Sequence, residues 1–100
     1  MAEVTVTEEA EGCLHDIYAY IARDNPDAAS KLLDGIYAKL ELLREFSEIG
    51  YRYERARPRH VRILLYGHYR IAYLIKPDSN IDVIGVYHGA RLIDRLLGDI

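Results

Sequence analysis

One hundred residues, half of them hydrophobic and 29% charged, are enough for one domain spanning 1–100 and too few for a second core. The lone cysteine, Cys13, excludes an internal disulfide and fits a reducing cytoplasm, with burial as its expected role. The net charge of −3 is unevenly placed: residues 1–50 hold eleven acids and four bases, and residues 51–100 hold five acids and nine bases.

The N-terminal stretch MAEVTVTEEAEG is acidic and lacks the basic-then-apolar plan of a signal peptide. Nowhere does an apolar run approach the roughly 18 residues of a membrane span. EVTV (3–6) is short and β-branched and predicts a strand. Thr7 then reads as an N-cap, with Glu8 and Glu9 facing the positive end of a helix. Ala10, Cys13, Leu14, Ile17, Tyr18 and Ile21 recur at intervals of three and four, which is one apolar helix stripe. The break is RDNP, where Asn25 suits a cap and Pro26 the first helical position. Ala29, Leu32, Leu33, Ile36, Tyr37, Leu40 and Leu43 form a second stripe, so the two helices make an antiparallel hairpin.

A polar stretch, SEIGYRYERARPR, leads into VRILLY, YRIAYLI and NIDVIGVYH, three runs rich in Val, Ile and Tyr that predict strands. The turns between them are Gly67-His68 and Pro77-Asp78-Ser79-Asn80. Two registers fit the first hairpin. A two-residue loop puts Arg62 on the side of Tyr69, Ile71 and Tyr73. A three-residue loop, Tyr66-Gly67-His68, groups Val61, Ile63 and Leu65 with those residues and leaves Arg62, Leu64 and Arg70 on the other face. The second separates apolar from charged side chains and is the expected one. It predicts one sheet face under the helices and one exposed face carrying Arg62 and Arg70. In the last strand, Asp82, Ile84, Val86 and His88 should share one face, and Val83 and Tyr87 the other. Arg70, in a central strand, needs a partner, and Glu54 and Asp82 are the candidates.

Six arginines fall between Arg52 and Arg70, a pattern that suits a face for anions or for an acidic partner. The four histidines show no metal-ligand spacing, no cysteine pair exists, and no glycine loop is built to cradle phosphate. No metal or other cofactor is therefore expected. The tail RLIDRLLGDI carries more apolar residues than so short a segment buries alone, so a partner is expected to cover part of the surface.

The order of strand, helix hairpin, three antiparallel strands and short tail, with the phrases IARDNPDAA, FSEIG, YGHYRIAYLI and VYHGAR, resembles the RelE/ParE superfamily of bacterial toxins over nearly the whole chain. The resemblance implies an α+β fold: an N-terminal strand and an antiparallel helix hairpin packed on one face of a mainly antiparallel four-stranded sheet, ending in a short C-terminal tail or helix. It also implies a cytoplasmic toxin of a type II toxin-antitoxin system, silenced by a cognate ParD-like antitoxin in a hetero-oligomer. The superfamily divides by target. ParE-like members arrest growth by inhibiting DNA gyrase through protein contact. RelE-like members are ribosome-dependent mRNA endoribonucleases.

Cleavage through a 2′-hydroxyl needs a base, a cation for the phosphate and an acid for the leaving oxygen. In the RelE-like pattern these fall on Glu54, Arg70 and His88. The tyrosine that follows the histidine in that pattern is replaced here by Gly89, and no lysine lies between Arg52 and Arg70. An acidic chain is also poorly suited to dense ribosomal phosphate. The ParE-like reading is therefore favoured, with no catalytic residue assigned. Target- or antitoxin-binding residues are expected at Arg62, Arg70, His88, Arg91, Leu92 and Leu96. An inactive member that only forms the antitoxin complex is a further alternative.

Overall fold

Thr7 is both the end of a strand and the start of a helix. In the computed structural model, which describes residues 1–89, β1 (Val4–Val6) runs directly into α1 (Glu8–Ala22). The Thr7 hydroxyl accepts from the Ala10 N–H at 3.2 Å and donates to the Val83 carbonyl at 2.8 Å. One side chain thus caps the helix and ties it to a distant strand. Replacing Thr7 by Ala should cost about 1–2 kcal/mol in denaturant melts, and Thr7→Ser should restore most of it. The second helix, α2 (Pro26–Leu42), starts as the sequence predicts: Asn25 Oδ1 accepts from the Ala28 N–H at 3.1 Å, with Pro26 in the first turn.

The remaining strands are β2 (Tyr51–Arg52), β3 (Val61–Tyr66), β4 (Tyr69–Ile75) and β5 (Ile81–His88). Their order in the sheet is β1-β5-β4-β3-β2. Among the described residues, only the β1–β5 pair is parallel; the others are antiparallel. Among the described residues the sheet therefore has five strands where four were expected. The extra one, β2, is two residues long, too short to show any alternation in sequence. It forms because Tyr51 and Arg52 lie opposite Ile63 and Arg62.

The helices cover one face. Ala10, Leu14, Ile36, Leu40 and Leu43 meet Leu64, Ile71, Tyr73, Ile81, Val83 and Val86 in the main core. Both apolar helix stripes supply this core, although Tyr37 lies 45% exposed. A second, smaller cluster lies on the other face. Tyr53 and Ala56, in and beside the 3-10 turn Glu54–Ala56, close over Val61, Ile63, Ala72 and Tyr87.

That second cluster explains why the expected hairpin register is wrong. Tyr66 pairs with Tyr69 and Leu64 with Ile71, so the loop is the two-residue Gly67-His68. Gly67 has φ +58°, the positive value required at the first position of such a turn and costly for other residues. Arg62 consequently lies across from Tyr73 on the helix side, and Val61 and Ile63 face the other way. Sorting apolar from charged residues presumed that the second face was bare. It is partly roofed, so both faces reward apolar side chains and the turn decides.

A bulge corrects the last strand. The pairing steps from Ala72–Gly85 to Tyr73–Val83, leaving Ile84 as the extra residue. Val83 and Val86 therefore both reach the helix-side core, although strict alternation puts them on opposite faces. His88, across from Tyr69, faces the helix side, whereas Asp82, across from Leu74, does not.

Candidate functional site

The expected binding residues do not form one cluster. Arg70 lies opposite Tyr87 and His88 opposite Tyr69, one step further along the same pair of strands. Successive side chains alternate across the pleat, so Arg70 and His88 project from opposite faces.

Arg70 belongs to the partly roofed face. Its cross-strand neighbours are Leu65 on β3 and Tyr87 on β5. Leu65 is 50% exposed, an apolar side chain open to solvent beside a cation. Tyr87 is buried, and burial pushes its phenol pKa up, with the Cys13 and Glu9 acids adding to the effect. Arg70 Nε is buried and has no hydrogen-bond partner among the described residues. Neither expected carboxylate reaches it. The Glu54 carboxylate sits 2.6 Å from Arg57 Nε, and Asp82 lies 3.5 Å from Lys76 Nζ. An arginine in a central strand with an unsatisfied donor is an unfilled demand for an acceptor.

His88 stands exposed at the end of β5. Its ring meets Tyr69 edge-on at 5.2 Å and lies 6.1 Å from His68. Asp16, Ile17 and Tyr20 of α1 join Tyr69 and His88 around a groove of about 390 Å3. Tyr20 is 74% exposed there. Arg62 is elsewhere, at the β2 side of the sheet, bound to the backbone carbonyls of Glu48 and Gly50 and to His60. Arg91, Leu92 and Leu96 lie outside the described residues. Among the described residues, no group of three His, Cys, Asp or Glu is placed to hold a metal ion. Nor is any helix there long and apolar enough to cross a membrane.

Sequence reasoning overlooked Leu65, Tyr20 and Arg52. The three-residue-loop register places Leu65 in the core, whereas the observed pairing sets it beside Arg70. Tyr20 falls outside the α1 stripe, and an exposed tyrosine beside a groove is visible only once α1 is laid along β5. Arg52 lies directly across from Arg62, and its buried Nε also lacks a partner among the described residues.

Two helices on one face of an open, mainly antiparallel five-stranded sheet define an α+β protein of the RelE/ParE kind. The sequence model for the ParE toxin of the type II toxin-antitoxin system parDE matches residues 4–93. The chain belongs to the ParE toxin family. A solved chain from the "Chromosomal ParDE TA system from P. aeruginosa" has a similar fold, with a TM-score of 0.73 and 20% sequence identity over 90% of this chain and 98% of that one. No curated protein matches the sequence.

Proposed function

We propose that this ParE-family chain arrests growth in the cytoplasm by binding DNA gyrase, and that a ParD-like antitoxin silences it by covering the same apolar and cationic surface. Contact rather than bond cleavage is the supported mode, and the observation that carries it is the opposed placement of Arg70 and His88. Cleavage through a 2′-hydroxyl needs a cation and a proton donor converging on one phosphate, within about 3 Å of the reacting oxygens. Side chains on opposite faces of a sheet do not converge. The Glu54 carboxylate, the third member of the nuclease pattern, is engaged by Arg57.

The contact reading assigns Arg70 and Leu65 to a partner that brings a carboxylate next to an apolar side chain. A second apolar surface, between β1 and α2, is lined by Val4, Val6, Tyr37 and Leu40 with Glu41 and Arg44 at its rim. A helix laid on such a groove, or a strand added at the β1 edge of the sheet, is the usual way a small partner binds.

The test is induced expression followed by microscopy and transcript mapping, with a supercoiling assay of purified protein and DNA gyrase. Filamentation and loss of supercoiling support the proposal. Cuts within translated codons would replace it with ribonuclease activity. Substitution of His88 by Gln, which keeps a hydrogen-bonding side chain, should leave growth arrest largely intact. A general acid lost from a nuclease would slow cleavage about 100-fold or more. Abolished arrest in a well-folded His88→Gln variant, with transcript cuts vanishing in parallel, therefore sinks the contact reading. The antitoxin arm is checked by co-expression with the neighbouring reading frame, whose product should co-purify and relieve arrest.

A further inference from the structure

The turn between α2 and β2 is held to the sheet by two side chains, and one of them depends on a histidine. Tyr73 donates to the Ser47 carbonyl at 2.7 Å and accepts from the Gly50 N–H at 3.0 Å. Arg62 donates to the Gly50 carbonyl at 2.6 Å and the Glu48 carbonyl at 3.2 Å. The Arg62 Nε–H points elsewhere, to His60 Nε2 at 3.0 Å. A guanidinium has no acceptor and stays protonated, so Nε2 must offer its lone pair and the imidazole must be neutral.

We propose that His60 is a proton-operated latch: neutral, it anchors Arg62 and with it the Ser47–Gly50 turn; protonated, it loses its acceptor and repels the arginine that it held.

The charges around His60 bias the latch. Arg62 on β3 and Arg52 on β2 face each other across the ladder, and a cationic imidazole adds a third positive group. Arg59 and Lys76 line the shallow cavity on the other side of His60 with Pro58, Leu74, Ile75 and Pro77. Lys76 is offset by Asp82 at 3.5 Å. Among the described residues, the carboxylate facing the cluster is Glu48, 3.6 Å from Arg62 and largely exposed. Burial, then Arg52 and Arg62, push the His60 pKa below its ordinary value of 6.5, and Glu48 opposes them. The sign follows. The unfolded chain takes up the proton first as pH falls, so the latch's contribution to stability is complete above 6.5. It is lost as pH drops from there through the lower folded-state value.

The latch secures a segment that carries exposed Ile49, at 45% exposure, and adjoins exposed Phe46, at 54%. Its release loosens how those side chains are presented. The inference stands independently of the toxin's target.

Glutamine at position 60 keeps an acceptor for Arg62 and cannot be protonated. Melting temperatures of the wild-type chain and His60→Gln should be compared between about pH 7.5 and pH 5.5. The wild type should lose more melting temperature than the variant across that range. His15, His68 and His88 are common to both chains, so the difference isolates His60. In parallel, the imidazole C–H resonance of His60 should titrate below 6.5, with amide shifts in residues 47–52 following the same curve. Equal pH slopes in the two chains, or a His60 that titrates at or above the ordinary value, overturn the latch. If His60→Gln fails to fold, the resonance titration of the wild type decides alone.

Discussion

Replacing Arg70 by Met should leave the fold as stable as before, or more stable, while weakening the bound partner about 10- to 100-fold. The two effects separate because of what surrounds the side chain. Arg70 Nε is buried without a partner among the described residues, so its desolvation is uncompensated. Met keeps most of the stem that packs between Leu65 and Tyr87 and removes the unsatisfied Nε donor. Apolar replacements of buried charges are often neutral or stabilising. A partner's carboxylate, by contrast, loses a charge-assisted hydrogen bond, worth about 1.5–3 kcal/mol. Calorimetric titration with the co-purified antitoxin, melts of the free chain and growth assays together provide the check. A variant that melts several degrees lower and binds normally would make Arg70 a structural residue and remove it from the site.

Truncating Tyr73 to Ala should be the most damaging single change, at about 4 kcal/mol or more, and Tyr73→Phe should cost about 1–3 kcal/mol. Tyr73 is the largest fully buried side chain in the core. Loss of its ring leaves a cavity under α2, and loss of its hydroxyl strands the Ser47 carbonyl and the Gly50 N–H. Chemical denaturation of both variants separates packing from hydrogen bonding. The hydroxyl also sets an alkaline limit. Burial raises the Tyr73 pKa above 10.0, and hydrogen bonding by Gly50 and the nearby Arg62 offset this only in part. The unfolded phenol therefore releases its proton first, and stability falls as pH rises past that value, with Tyr87 adding to the loss. Tyr73→Phe should flatten the alkaline decline; an unchanged slope would show that Tyr73 does not contribute. The Ile63 backbone, with the same hydroxyl, explains why position 50 is glycine. A Cβ there would lie 2.7 Å from the Ile63 carbonyl oxygen and 2.9 Å from the Tyr73 hydroxyl.

Much of the fold is readable in the chain. Helix caps are local, so Thr7 and Asn25 announce α1 and α2 from neighbouring residues alone. The helix stripes, the three long strands and the order of elements follow from periods of 3.6 and 2. The candidate site is less legible. VYHGAR suggests one cluster because His88 and Arg91 are close in sequence and Arg70 falls in a neighbouring strand. The pleat sends Arg70 and His88 to opposite sides of the sheet.

What the sequence by itself determined is therefore local: where each helix starts, which residues are apolar, which segments extend, and where the cations concentrate. What only the tertiary structure decided is how those segments meet. The two-residue Gly67-His68 turn fixed the register and moved Arg62 to the helix side. The bulge opposite Ala72 and Tyr73 brought Val83 and Val86 into one core. Tyr53 and Ala56 roofed a face that alternation alone left open. Each outcome depends on a contact between residues far apart in the chain or on a one-residue shift. A shift of one residue reverses every side chain in a strand while leaving its sequence pattern unchanged.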